Sequence, residues 1–191
     1  MATALLGTLR IAGLDRAGVW MLDASVSGVV KSFFAAVLLA PLYFLVVMVK
    51  DYPDQPPADV FSTFMIEGAA YVAGWLIWPV LSHEISRFFS ARANWQRYIV
   101  AYNWAHVWIM LVQMPALILR QSHFADPGLS AIILLLSLGL VFAYRAVLAR
   151  MVLGLDLWGS LGVAVLDFVL SLAWASLIFA MVAPYAIPVP A

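Results

Sequence analysis

Seven polar side chains lie in or beside stretches otherwise made of hydrocarbon: Glu67, Gln96, Asn103, His106, Gln113, Arg145 and Asp167. An ionisable or amide group is costly in lipid, so each must face protein or water, and each is a candidate for function. Four of them share one segment. On an ideal helix Gln96, Asn103, His106 and Gln113 fall, with Tyr102 and Met110, within about 120° of one another. Such a stripe faces the interior of a bundle and suits two chemistries. It can be interhelical glue, with Asn, Gln and His bonding neighbouring helices. It can also line a polar cavity or proton path, with Glu67, His106, Gln113 and Asp167 as a stepped relay across the bilayer. Arg145 and Asp167 fall near the same end of two different apolar stretches, so the long arginine can reach its partner and form a buried ion pair.

Other chemistries find little footing. The chain has no cysteine, which excludes disulfides, iron–sulfur clusters and thiolate zinc sites. His83, His106 and His123 lie at different depths, whereas a bis-histidine haem needs ligands that match. His83-Glu84 has no second histidine following on its helix face, so it is not a zinc-protease motif. Asp51, Asp54 and Asp59 are close enough in sequence to meet a divalent cation, although a solvated acidic loop is far commoner. The expectation is a chain with no catalytic residue, cofactor or metal.

The elements that must position these residues are apolar blocks. Hydrophobic residues make up 65% of the 191-residue chain and charged residues 10%, against about 25% charged in a soluble domain. Only lipid can solvate that much apolar surface, and the lack of a basic run excludes nucleic acid as a partner. Five blocks approach the length of about 20 residues that a spanning helix needs: 33–49, 64–82, 98–119, 129–148 and 160–183. They are continuously apolar rather than alternating, which predicts helices and not a barrel. The predicted fold is an all-α, polytopic transmembrane bundle of five spans.

Charge gives the orientation. Arg10, Arg16, Lys31, Arg87, Arg92, Arg97, Arg145 and Arg150 fall on one side of the predicted spans, and only Lys50 and Arg120 on the other. Basic connections stay in the cytoplasm, so the N-terminus is expected inside and the C-terminus outside. Residues 1–27 then form a cytoplasmic segment, either interfacial or a frayed tail, 28–183 the transmembrane domain, and 184–191 an external tail. Ala69, Ala70, Ala73 and Gly74, and likewise Ser171, Ala175, Ser176 and Ala180, present small faces for close helix contact. Trp20, Trp95 and Trp158 are placed as interfacial belt residues, and Trp104, Trp108 and Trp174 at mid-span.

The five-span plan resembles the Yip domain family (Ypt-interacting-protein type) and its bacterial relatives. The segments that carry the likeness are Asp23-Ala-Ser-Val-Ser-Gly28 leading into Lys31-Ser-Phe-Phe-Ala-Ala, and Tyr98-Ile-Val-Ala-Tyr-Asn-Trp-Ala-His106 closing on Pro115. The resemblance implies a non-enzymatic integral protein of the inner (plasma) membrane and brings no catalytic residue with it. Its partners would be the bilayer, other membrane proteins or further copies of the chain. The alternative is a small transporter or channel with a polar, proton-linked path along the third span.

Overall fold

The structure, a computed structural model, describes residues 1–49, 60–121 and 126–182. Among them there is no strand. The described residues form eight α-helices: α1 (Ala2–Ala12), α2 (Ala17–Trp20), α3 (Val26–Ser32), α4 (Phe34–Val49), α5 (Val60–Phe88), α6 (Trp95–Gln121), α7 (Pro127–Leu148) and α8 (Leu157–Val182). A 3₁₀ turn at Arg92–Asn94 leads into α6, and a π-helical turn at Ala149–Leu153 extends α7. The predicted loop with Asp51, Asp54 and Asp59, His123, and the tail 184–191 lie outside the described residues.

Among the described residues four helical stretches are long and apolar enough to cross a membrane: Val26–Met48, Phe61–Phe88, Pro127–Leu153 and Leu157–Met181. In their most apolar windows only 11–17% of the residues are buried. Leu38, Leu45, Val72, Leu76, Leu135, Leu140, Val169 and Phe179 instead point outward, where hydrocarbon is their natural solvent. The helix over the predicted third span differs. At 27 residues α6 is long enough, at about 40 Å, but it is less apolar than the four. It is also the most enclosed. Every residue from Tyr98 to Ala105 is buried, on all sides of the helix. α1, α3, α4, α5 and α7 all pack against it. Low hydropathy and central position have one cause, because a helix that does not meet lipid can carry side chains that lipid would reject.

Local signals set several boundaries. Ser25 caps α3 by accepting from the Gly28 N–H at 3.0 Å. Asp23 accepts from the Ser25 N–H at 3.0 Å. Hydrogen bonding to the Ser25 hydroxyl, and next to its N–H, holds the Asp23 carboxyl below the usual carboxylate range. Gly28 lets this turn close, since a Cβ there would lie 2.3 Å from the Asp23 carbonyl oxygen. Asp126 caps α7 through the Leu129 N–H, followed by Pro127 in the first turn. Gly154 ends the π turn at φ 77°, a conformation that glycine adopts without strain.

The N-terminal segment, expected to be interfacial or a frayed tail, forms a helical hairpin. α1 and α2 fold back on each other and α1 docks on α6 and α7, burying Thr8 and Ile11 completely. The Trp108 indole N–H is shared between the Leu5 carbonyl at 3.2 Å and the Thr8 hydroxyl at 3.0 Å. The Tyr144 hydroxyl donates to the Thr8 carbonyl at 2.8 Å. Trp20 is 78% exposed with the Arg97 guanidinium over its ring. Trp158 is also exposed, whereas Trp104 is core.

Two glycines set how closely the hairpin closes. A Cβ on Gly18 would lie 2.3 Å from the Gly7 carbonyl oxygen, and one on Gly7 would lie 2.8 Å from that of Gly18. Gly18→Ala should therefore push α2 off α1, at a cost of about 1–3 kcal/mol. Limited proteolysis of the detergent-solubilised protein reads the effect. The variant should be cut in residues 1–22 faster than the wild type, and equal rates would show that the crossing is not tight.

Candidate functional site: a buried polar cluster around Arg145

Three helices bring their polar groups to one point. Arg145, in the last turn of α7, sits beside Asp167 on α8 and His106 on α6. Arg145 Nη1 lies 2.8 Å from Asp167 Oδ2, with the two side chains only 12% and 4% exposed. The contact is electrostatic rather than a well-directed hydrogen bond, since neither atom has a hydrogen-bond partner in line. Asp167 Oδ1 instead accepts from the Tyr102 hydroxyl at 2.7 Å. The guanidinium carbon stands 4.4 Å from the centroid of the Tyr102 ring, so Tyr102 offers its face to the cation and its hydroxyl to the anion.

The same geometry sets the state of His106. Its Nδ1 is 2.9 Å from the Tyr102 carbonyl, an acceptor only, so Nδ1 must carry the hydrogen. Its Nε2 is 3.2 Å from Arg145 Nη2, a donor only, so Nε2 must offer its lone pair. The neutral Nδ1–H tautomer satisfies both partners at once. A second proton on Nε2 would point N–H at N–H.

The predicted stripe on α6 divides between neighbours. Tyr102 and His106 turn to α7 and α8, but Asn103 turns to α3, donating from Nδ2 to the Ser32 hydroxyl at 2.8 Å. Both residues of that pair are fully buried. Gln96 and Gln113, half-buried, lie one to two turns or more from the cluster on either side. Successive residues are 100° apart, and because α6 is surrounded, adjacent positions meet different helices.

Glu67 is buried on α5 away from Arg145. The Tyr43 hydroxyl of α4 donates to its Oε2 at 2.5 Å. Between this pair and His106 stand aromatic rings. Tyr43 packs on Tyr71 at 4.5 Å between centroids, Tyr71 on Trp75 at 6.1 Å, and Trp75 on His106 at 4.9 Å. The Tyr71 hydroxyl donates out of this row to the Ala36 carbonyl at 2.6 Å. His83, at the far end of α5, is paired with Glu84 at 3.1 Å and edge-on to Trp95. It is not in the cluster. Among the described residues no group of three or more His, Asp or Glu side chains is placed to hold a metal ion.

The sequence puts Tyr102 on the stripe and Ser32 in a motif without giving either a role, and it singles out neither Tyr43 nor Thr8. A hydroxyl within an apolar block is the available signal, and it names no partner. What the arrangement does chemically is join helices. α7 and α8 are held by the ion pair, α6 and α8 by Tyr102, α6 and α7 by His106, α6 and α3 by Asn103, and α4 and α5 by Tyr43.

A buried pair costs desolvation to form, but losing one partner strands the other charge. Arg145→Met or Asp167→Leu alone should each lower stability by about 3–5 kcal/mol. The double variant should recover most of the loss, because hydrocarbon fills the site without a charge. Thermal unfolding in detergent, followed by tryptophan fluorescence, checks this. Additive losses in the double variant would mean that the two side chains act independently.

No family model, curated protein or solved structure matches this chain.

Proposed function

We propose that this chain is a non-enzymatic integral membrane protein of the Yip-like type, a structural or interaction component of the inner membrane. In this reading α6 crosses the bilayer as a fifth span beside the four more apolar helices. The N-terminal hairpin lies on the cytoplasmic side with the arginine-rich connection, and the C-terminus lies outside. The observation that carries the reading is the use made of the polar side chains. Arg145, Asp167, Tyr102, His106, Asn103 and Ser32 contact one another across helices. Groups spent on one another fix a bundle; groups that move a solute or a proton must let go of one partner to take the next. Exposed apolar residues on α4, α5, α7 and α8 leave ample surface for lipid and for partner helices.

The second reading, a small proton-linked transporter or channel, draws support from two buried carboxylates, Glu67 and Asp167. Against it stands the geometry between Glu67 and His106, where the Tyr71 hydroxyl donates aside to the Ala36 carbonyl and both ring nitrogens of His106 already face partners.

Purified protein in liposomes with an entrapped pH-sensitive dye separates the two. An imposed proton gradient should decay at the rate of empty liposomes. Acceleration in the wild type that Glu67→Gln or His106→Phe abolishes would replace the scaffold reading with the transport one. Reporter fusions at residues 1 and 191 test the orientation and should report opposite sides of the membrane.

A further inference from the structure

The α5–α6 connection, the π turn after α7 and the first turn of α8 form one end of the bundle. Asn94 Nδ2 donates to the Leu153 carbonyl at 3.3 Å and ties the first two together. A Cβ on Gly159 would lie 3.2 Å from the Phe89 ring, which sets α8 against the end of α5. The Arg97 guanidinium stands 5.2 Å from the centroid of the Trp20 ring and brings in α2.

Charge at this end is unbalanced. Residues 1–31, 84–97 and 149–158 hold seven Lys and Arg against four Asp and Glu, in a chain that is neutral as a whole. Each of the four carboxylates is already engaged. Asp15 accepts from the Ala17 N–H at 2.9 Å and faces Arg10 at 3.8 Å. Asp23 accepts from the Ser25 N–H, and Glu84 pairs with Arg87 at 2.8 Å. Asp156 accepts from the Gly159 N–H at 2.8 Å. Among the described residues no carboxylate pairs with Arg16, Arg92, Arg97 or Arg150. Arg16, Arg92 and Arg150 are exposed, and Arg97 is half-buried against Trp20.

The rings beside these cations name what meets them. Trp20, Phe88 and Trp158 are 78%, 82% and 77% exposed. Phe88 ends one stretch of spanning length and Trp158 is the second residue of another. At that level hydrocarbon gives way to headgroups, where rings lie against acyl chains and long basic side chains reach the phosphates. An acidic peptide or a nucleic acid would satisfy the arginines and leave the rings in water. A lipid with net negative charge satisfies both.

We propose that this end of the bundle binds the headgroups of anionic phospholipids. Arg16, Arg92, Arg97 and Arg150 meet the negative charge, and Trp20, Phe88 and Trp158 sit at the edge of the hydrocarbon beside it. The surface depends on the apolar stretches crossing the membrane. It does not depend on the scaffold role or on which side this end faces, so its failure would leave that role standing.

The test uses the full chain in phosphatidylcholine liposomes. Traces of phosphatidylglycerol or phosphatidylcholine are added, spin-labelled near the end of one acyl chain. Electron paramagnetic resonance gives the share of each lipid held motionally restricted against the protein. A gain of about fivefold at sites beside a cation, averaged with the rest of the boundary, should favour phosphatidylglycerol about twofold overall. Salt at about 0.5 M should erase most of that preference by screening exposed charges. The combined variant Arg16→Gln, Arg92→Gln and Arg150→Gln should erase it as well. Its thermal unfolding should stay unchanged, since these side chains have no ion-pair partner to lose. Arg16→Lys, Arg92→Lys and Arg150→Lys together should keep the preference. Equal restriction of the two lipids by the wild type, or a preference that survives salt, would overturn the proposal. So would a polyglutamate peptide that binds through the three arginines while both lipids are held equally, which would assign the surface to an acidic protein partner. The salt series is read on the wild type, so it decides even where a variant fails to fold.

Discussion

Hydrocarbon offers no hydrogen-bond partner, and the arrangement of this bundle follows from that constraint. A polar side chain on a spanning helix either reaches an interface or is met by a group on another helix. α6 carries Tyr98, Tyr102, Asn103 and His106 along two and a half turns, too many to be met from one side. The chain answers by surrounding the helix. α3 supplies the Ser32 hydroxyl, α5 the Trp78 indole that donates to Tyr98, α7 the Arg145 guanidinium and α8 the Asp167 carboxylate. The short α1 adds backbone and side-chain acceptors for Trp108. Apolar contact alone would not select these neighbours, because a leucine gains little by leaving lipid for another leucine.

The cluster around Arg145 shows how one residue can satisfy several others. Tyr102 presents its carbonyl to His106, its ring face to Arg145 and its hydroxyl to Asp167. His106 then accepts from the same guanidinium. Each group constrains the next, so the three helix directions are coupled at one point near one end of the bundle. Proline inside α4, α5 and α6 (Pro41, Pro79 and Pro115) does not prevent this. Spanning helices tolerate the lost N–H where neighbours and hydroxyl groups are at hand.

Much of this was legible in the order of residues, and the limits have physical causes. Long apolar blocks announce helices, and four of them have the length and composition of spans. The stripe on the third block pointed to the centre of the bundle, because polarity in such a block must be hidden. The stripe did not say which neighbour each residue meets. Asn103 and Tyr102 are adjacent in sequence yet face different helices, an outcome fixed by packing that no periodicity encodes. The relation of Asp23 to Gly28 was visible only as a motif; the close approach of backbone to Cα explains the glycine. The N-terminal hairpin was hardest to read. Its crossing depends on Gly7 and Gly18, eleven positions apart, whose meeting no local pattern requires.

The central claim is that α6 is shielded from lipid on every side over its first half. A nitroxide scan tests it most directly, since the chain has no native cysteine to remove. Single cysteines at successive positions from 98 to 112, spin-labelled in liposomes, would be measured for collision with dissolved oxygen. Positions 98–105 should show uniformly low accessibility, with a rise only at Leu111 and Val112, both exposed in the structure. A helical alternation of high and low accessibility across 98–105 would place one face of α6 in lipid and contradict the account.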